Sequence, residues 1–138
     1  MKHPIHPMLV HFPIACWSIA TCFDVFSQLY SLENVNISGV LILIGIVLAL
    51  PTMLTGLIDM SRIDNDSPAI KTVNKHMFFV FMAWMLYALS LYIRVDKMSF
   101  VYPNGLATLF SLMGFINLSI AGWHGGNLVY KHNVGRNV

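Results

Sequence analysis

Four long apolar stretches follow one another along this chain, at about 8–30, 38–59, 76–94 and 104–124, and they restrict its possible folds more than any other feature. The first carries a single acid, Asp24, and the interiors of the other three carry no charge. A bilayer's hydrocarbon core takes roughly 17 to 25 apolar residues per spanning helix, so each stretch is long enough to cross. A water-soluble globule is excluded on composition: with 57% hydrophobic and 10% charged residues among 138, too little polar surface remains to solvate one. The expected fold is all-α, an integral membrane antiparallel four-helix bundle forming a single domain over residues 1–138.

The connections are short, which favours neighbouring antiparallel helices. The middle one, Arg62-Ile-Asp-Asn-Asp-Ser-Pro, is the most polar, and its Ser67-Pro68 pair is a natural start for a turn leading into the third helix. Lys2, Arg62, Lys71, Lys75, Lys131 and Arg136 fall on the side that holds both termini, against Arg94 and Lys97 on the other. By the positive-inside rule both termini are expected in the cytoplasm, in a bacterial-type inner (plasma) membrane. The first span lacks a cleavage site followed by a soluble domain and is expected to be retained.

The net charge of +2 is spread over helix flanks and forms no dense basic patch, so nucleic-acid binding gains no support. Cys16 and Cys22 lie about 9 Å apart along one helix, too far for a mutual disulfide, and no Cys-x-x-Cys-His motif for covalent haem attachment occurs. No internal repeat is visible in the residue identities. Gly45 with Ala49, and Gly122 with Gly126, have the four-residue spacing that lets helices approach closely in lipid. Pro51, inside the second span, removes a backbone donor there and predicts a kink.

The histidines are the principal functional signal. His6 and His11 begin the first helix, His76 begins the third, and His124 and His132 end the fourth; with Asp59 at the end of the second, every helix brings a ligand candidate to one membrane face. Ionisable groups at membrane depth are costly and mark function more often than packing. Haem b needs two imidazoles on opposing helices and an apolar slot. Phe12, Trp17, Phe78, Phe79, Phe81, Trp84 and Trp123 lie near the histidine level and are expected to supply the slot. Neutral imidazoles with the Asp59 carboxylate also suit Zn or non-haem iron, as in a membrane hydrolase or metal carrier, although no His-Glu-x-x-His or Glu-x-x-His pair is present. A non-enzymatic membrane scaffold is the third alternative. Thr52, Thr55 and Asp59 form a mildly polar stripe with Gly45, expected to face the bundle interior. Asn117 shares a helix face with His124. Asp24 belongs to the opposite half of the bilayer, where pairing with Arg94 is expected and a proton or quinone contact is the alternative.

The segments His3-Pro-Ile-His-Pro-Met-Leu-Val-His-Phe-Pro-Ile-Ala, Gly56-Leu-Ile-Asp59, Lys75-His-Met and Gly125-Gly-Asn-Leu-Val-Tyr-Lys-His-Asn-Val-Gly135 resemble the DUF2231 family of small four-helix membrane proteins, over essentially the whole chain. The layout is similar to that of small b-type cytochromes. The resemblance implies the fold and topology more firmly than the chemistry. Matching its motifs singles out His3, His6, His76 and His132 with Asp59, and makes His6 and His76 the first axial pair to test. A haem b electron carrier, working between quinol and a redox partner protein and with room for a homodimer, is the expectation this leaves. His11, His124 and His132 are its supporting cofactor-binding candidates.

Overall fold

The computed structural model describes residues 5–30, 37–97 and 99–135. Its elements are α1 (Ile5–Leu9), α2 (His11–Tyr30), α3 (Ile37–Met60), α4 (Ile70–Ile93), a two-residue-per-strand hairpin of β1 (Val95–Asp96) and β2 (Ser99–Phe100), and α5 (Gly105–Tyr130). Taking α1 and α2 together, four spans are long and apolar enough to cross a membrane. They form the expected antiparallel bundle. α4 begins at Ile70 and α5 runs to Tyr130, a turn or more past the apolar stretches. Polar residues such as Lys71, Lys75 and Asn127 close an apolar window but do not end a helix, since long side chains reach water from within its last turns. The Ser67-Pro68 turn leads into α4 as expected, with Ser67 accepting the Ala69 N–H on its hydroxyl and the Ile70 N–H on its carbonyl.

Helix α2 packs on both α3 and α5, and so does α4, which puts α2 and α4 at opposite corners of the bundle. They meet across its centre through large side chains. Trp17 and Tyr87 stack with ring centroids 4.7 Å apart, and the Tyr87 hydroxyl lies 2.7 Å from Thr21 Oγ1. Gly45 and Gly114 make room for this pair: a Cβ on Gly45 would collide with the Trp17 indole, and one on Gly114 would come within 2.9 Å of the Tyr87 ring.

Toward the β-hairpin end, Arg94 joins all four spans. Its guanidinium donates to both carboxylate oxygens of Asp24 on α2 at 2.9 Å, to Ser38 Oγ on α3 at 2.9 Å, to Ser90 Oγ on α4 at 2.7 Å and to Ser111 Oγ on α5 at 3.4 Å, while Nε donates to the Ser90 carbonyl. The side chains of Arg94 and Asp24 are 1% and 0% exposed. The expected pairing is therefore present, and it is fully enclosed by protein.

The two helical hairpins repeat one another, although the residue identities gave no sign of it. Asp24 and Arg94 are 70 residues apart, as are Trp17 and Tyr87. At the same offset Pro13 matches Ala83 and Ala20 matches Ser90, and all eight positions are buried. With an offset one residue shorter, Ser38, Gly39, Ile42, Gly45 and Thr52 of α3 match Ala107, Thr108, Ser111, Gly114 and Ala121 of α5, again all buried. What repeats is the pattern of buried positions. Two of the equivalent pairs, Asp24 with Arg94 and Trp17 with Tyr87, meet across the axis relating the hairpins, where an acid needs a base and not another acid.

Replacing Arg94 by Ala leaves the Asp24 carboxylate buried without its cation, a class of change that costs about 3–5 kcal/mol. Arg94→Lys retains the charge but cannot reach the carboxylate and three hydroxyls together. Both variants are expected to melt well below the parent protein in detergent, followed by circular dichroism; a parental melting temperature for Arg94→Ala would show the pair to be dispensable.

Candidate functional site

At the other end of the bundle the first and third spans each place one imidazole against the neighbouring helix in the same way. His6 Nδ1–H donates to the Thr52 carbonyl at 2.8 Å, and the ring rests on Gly56, where a Cβ would come within 3.0 Å of His6 Cε1. His76 Nδ1–H donates to the Ala121 carbonyl at 2.8 Å, and its ring rests on Gly125, where a Cβ would come within 3.3 Å. The carbonyl and the glycine are one helical turn apart in both cases, and the two sets are equivalent under the hairpin repeat. A carbonyl only accepts, so each neutral ring carries its proton on Nδ1 and its lone pair on Nε2. Among the described residues neither Nε2 has a hydrogen-bond partner.

A backbone carbonyl that accepts from Nδ1–H fixes the ring's orientation and tautomer, a device also used by histidines that bind metals through the other nitrogen. His6 and His124 both lie near His76. His124 stacks on Phe79, with ring centroids 5.8 Å apart. It has no counterpart in the first hairpin, where the equivalent position is Thr55.

The remaining candidates go elsewhere. His11 is exposed at the start of α2. His132 Nε2 lies 3.2 Å from Thr72 Oγ1, beside a small apolar cluster of Ala69, Val73 and Leu128 onto which Val134 packs. That contact fastens the end of α5 to the start of α4. Asp59 pairs with Arg62 at 3.2 Å, both side chains being about half exposed (46% and 57%), so the polar stripe of α3 faces inward at Gly45 and Thr52 and leaves the interior before Asp59. His3 lies outside the described residues. No group of three or more His, Cys, Asp or Glu that could hold a metal is present among the described residues.

The aromatic lining is thinner than expected. Phe12, Phe78, Phe81 and Trp123 are 58%, 58%, 52% and 72% exposed on the outside of the bundle, and Trp17 is committed to the Tyr87 stack. Phe79 is the aromatic residue that stacks on a site histidine. Gly122 and Gly126 meet nothing within 4 Å, so within one chain they bring no helices together. The Asn117 amide donates to its own helix, at the Met113 carbonyl.

The family model for DUF2231, described as a predicted membrane protein, matches residues 2–137. The chain belongs to the DUF2231 family. No curated protein and no solved structure matches it. Sequence motifs had pointed to His6 and His76; what they had not exposed is the use of Gly56 and Gly125, which open two of the quoted motif segments, as floors for the two rings.

Gly56→Ala is expected to push the His6 ring off its floor and break its bond to Thr52, whereas Gly122→Ala, which adds a methyl to open space, leaves it intact. The protected Nδ1 proton of His6 in a nitrogen–proton NMR spectrum reports this directly. Equal spectra for the two variants would refute the role assigned to Gly56.

Proposed function

We propose that this membrane protein binds haem b between His6 and His76 and serves in electron transfer. The observation that carries the proposal is the matched pair of imidazoles, one from each hairpin and on diagonal spans, each held at Nδ1 by a backbone carbonyl and each left with a free Nε2 lone pair. A haem iron receives four nitrogens from its porphyrin and asks the protein for only two ligands, which is what the paired histidines offer. A zinc or non-haem iron centre asks for three or four protein ligands, and the carboxylate best suited to join the histidines, Asp59, is engaged with Arg62 at the surface. The donor set therefore favours haem over a bare metal.

His76 and His6 would hold the group, with Gly56 and Gly125 allowing their rings to lie flat against α3 and α5. The Thr52 and Ala121 carbonyls orient the rings and, by accepting from Nδ1–H, make each Nε2 a better donor. When bound, haem supplies one-electron redox chemistry. The bundle would contribute apolar helix surface beside the half-buried rings. A membrane-soluble carrier such as quinol and a redox partner protein at the histidine end are the partners such a site suits. By the excess of Lys and Arg there, we place that end in the cytoplasm.

The absorption spectrum of the detergent-purified protein, expressed with an adequate haem supply, tests the reading. A Soret band with the low-spin spectrum of two imidazole ligands is expected, and His76→Ala is expected to lose it. Protein that carries no Soret band under these conditions would falsify the haem assignment.

A further inference from the structure

The two histidines are equivalent in position but not in how firmly they are held. His76 belongs to α4, which is continuous from Ile70 to Ile93 and is anchored ahead of the histidine by Val73, buried against Ala69 and Leu128. His6 belongs to α1, a separate helix of 5 residues, none of them buried, parted from α2 by a turn at Val10. The cause of the break lies in the sequence. Pro13 has no N–H to give the Leu9 carbonyl, and the next bond, Ile14 N–H to the Val10 carbonyl, is stretched to 3.3 Å. At the equivalent place in α4 stands Ala83, which keeps its donor.

A second difference concerns the carbonyls. The Thr52 carbonyl that holds His6 also accepts from Thr55 Oγ1 at 2.9 Å, and the same hydroxyl reaches the Pro51 carbonyl at 3.0 Å. If His6 leaves, Thr55 still satisfies Thr52. The position equivalent to Thr55 is His124, which stacks on Phe79 and makes no bond to the Ala121 carbonyl among the described residues. Beside His76 no side-chain hydroxyl shares the Ala121 carbonyl among the described residues.

Resting on the haem reading above, we propose that His6 is the exchangeable ligand and His76 the permanent one, so that the site admits a small neutral diatomic molecule on the His6 side. α1 would pivot at Val10, Thr55 would keep the Thr52 carbonyl satisfied, and His6 would release its hold while His76 keeps the group in place. No electron changes hands in the exchange. A helix turn with few buried contacts opens locally at low cost, whereas one anchored in a packed cluster opens only with its neighbours.

Two measurements on the full chain test this separately from the haem assignment. In haem-free protein in detergent, the amides of Val10, His11 and Ile14 are expected to exchange with deuterium at least about tenfold faster than those of Val80, Phe81 and Trp84, their equivalents in α4. Equal rates would overturn the pivot whether or not the protein binds haem. In haem-loaded, dithionite-reduced protein, carbon monoxide is expected to bind. Pro13→Ala, which restores a donor for the Leu9 carbonyl, is expected to slow that binding about tenfold with the Soret band retained, the effect of roughly one hydrogen bond. Haem-loaded His6→Ala should bind carbon monoxide without the slow step. Haem-loaded protein that refuses carbon monoxide, or a Pro13→Ala variant that binds it at the parental rate, overturns the proposal while leaving the axial pair intact.

Discussion

The enclosed pair of Asp24 and Arg94 is the constraint on which the bundle is organised. In lipid there is no hydrophobic force pulling helices together, since the tails outside are as apolar as the side chains they would replace. Association must come from close packing and from polar groups that have no other partner. One guanidinium that bonds to Asp24, Ser38, Ser90 and Ser111 donates a hydrogen bond to each of the four spans, and so sets their order, their relative rotation and their depth. The hydroxyls matter as much as the charge. A bare ion pair would leave several guanidinium protons unsatisfied in an apolar interior, and burial would then cost more than the pairing returns.

From that anchor the rest of the axis follows in order. The Trp17–Tyr87 stack fills the centre, where Gly45 and Gly114 let two large rings lie between helices. Beyond it the axis ends on His6 and His76, whose rings are turned onto the neighbouring helices by Thr52 and Ala121. The two ends of the bundle differ in one respect that bears on function. At the β-hairpin end the two buried charges, Asp24 and Arg94, answer one another; at the histidine end the Nε2 atoms of His6 and His76 have no hydrogen-bond partner among the described residues. Satisfaction at one end and want at the other is what separates a structural polar cluster from a candidate binding site.

Much of this was legible in the residues. Four apolar spans, short connections and charges only at the flanks dictate the fold, and a lone acid and a lone base at one depth foretell the Asp24–Arg94 pair. The histidine face follows from topology alone. The hairpin repeat was hidden because its equivalent positions differ in identity: Asp24 against Arg94, Ile42 against Ser111. Asp59 continues a helical stripe through Gly45 and Thr52, but α3 has by then passed the packed interior, and a carboxylate at a water boundary prefers Arg62 nearby to a place inside. The aromatics near the histidines were expected to form a slot. Periodicity cannot distinguish an inward ring from an outward one in a helix apolar all round, since the lipid side is as hospitable as the core.

The departure from symmetry at the histidine end is informative because the repeat supplies its own control. Two hairpins with matching buried positions share the task of covering one another, and where equivalent residues meet, as Asp24 with Arg94 and Trp17 with Tyr87, their differences are complementary. They differ at Pro13 against Ala83 and at Thr55 against His124, positions within two turns of the paired imidazoles. Neither difference improves the bundle: a proline inside a span forfeits a hydrogen bond, and a histidine at membrane depth is harder to house than a threonine. Each hairpin thus bears one cost that the other does not, and both lie beside the matched imidazoles of His6 and His76.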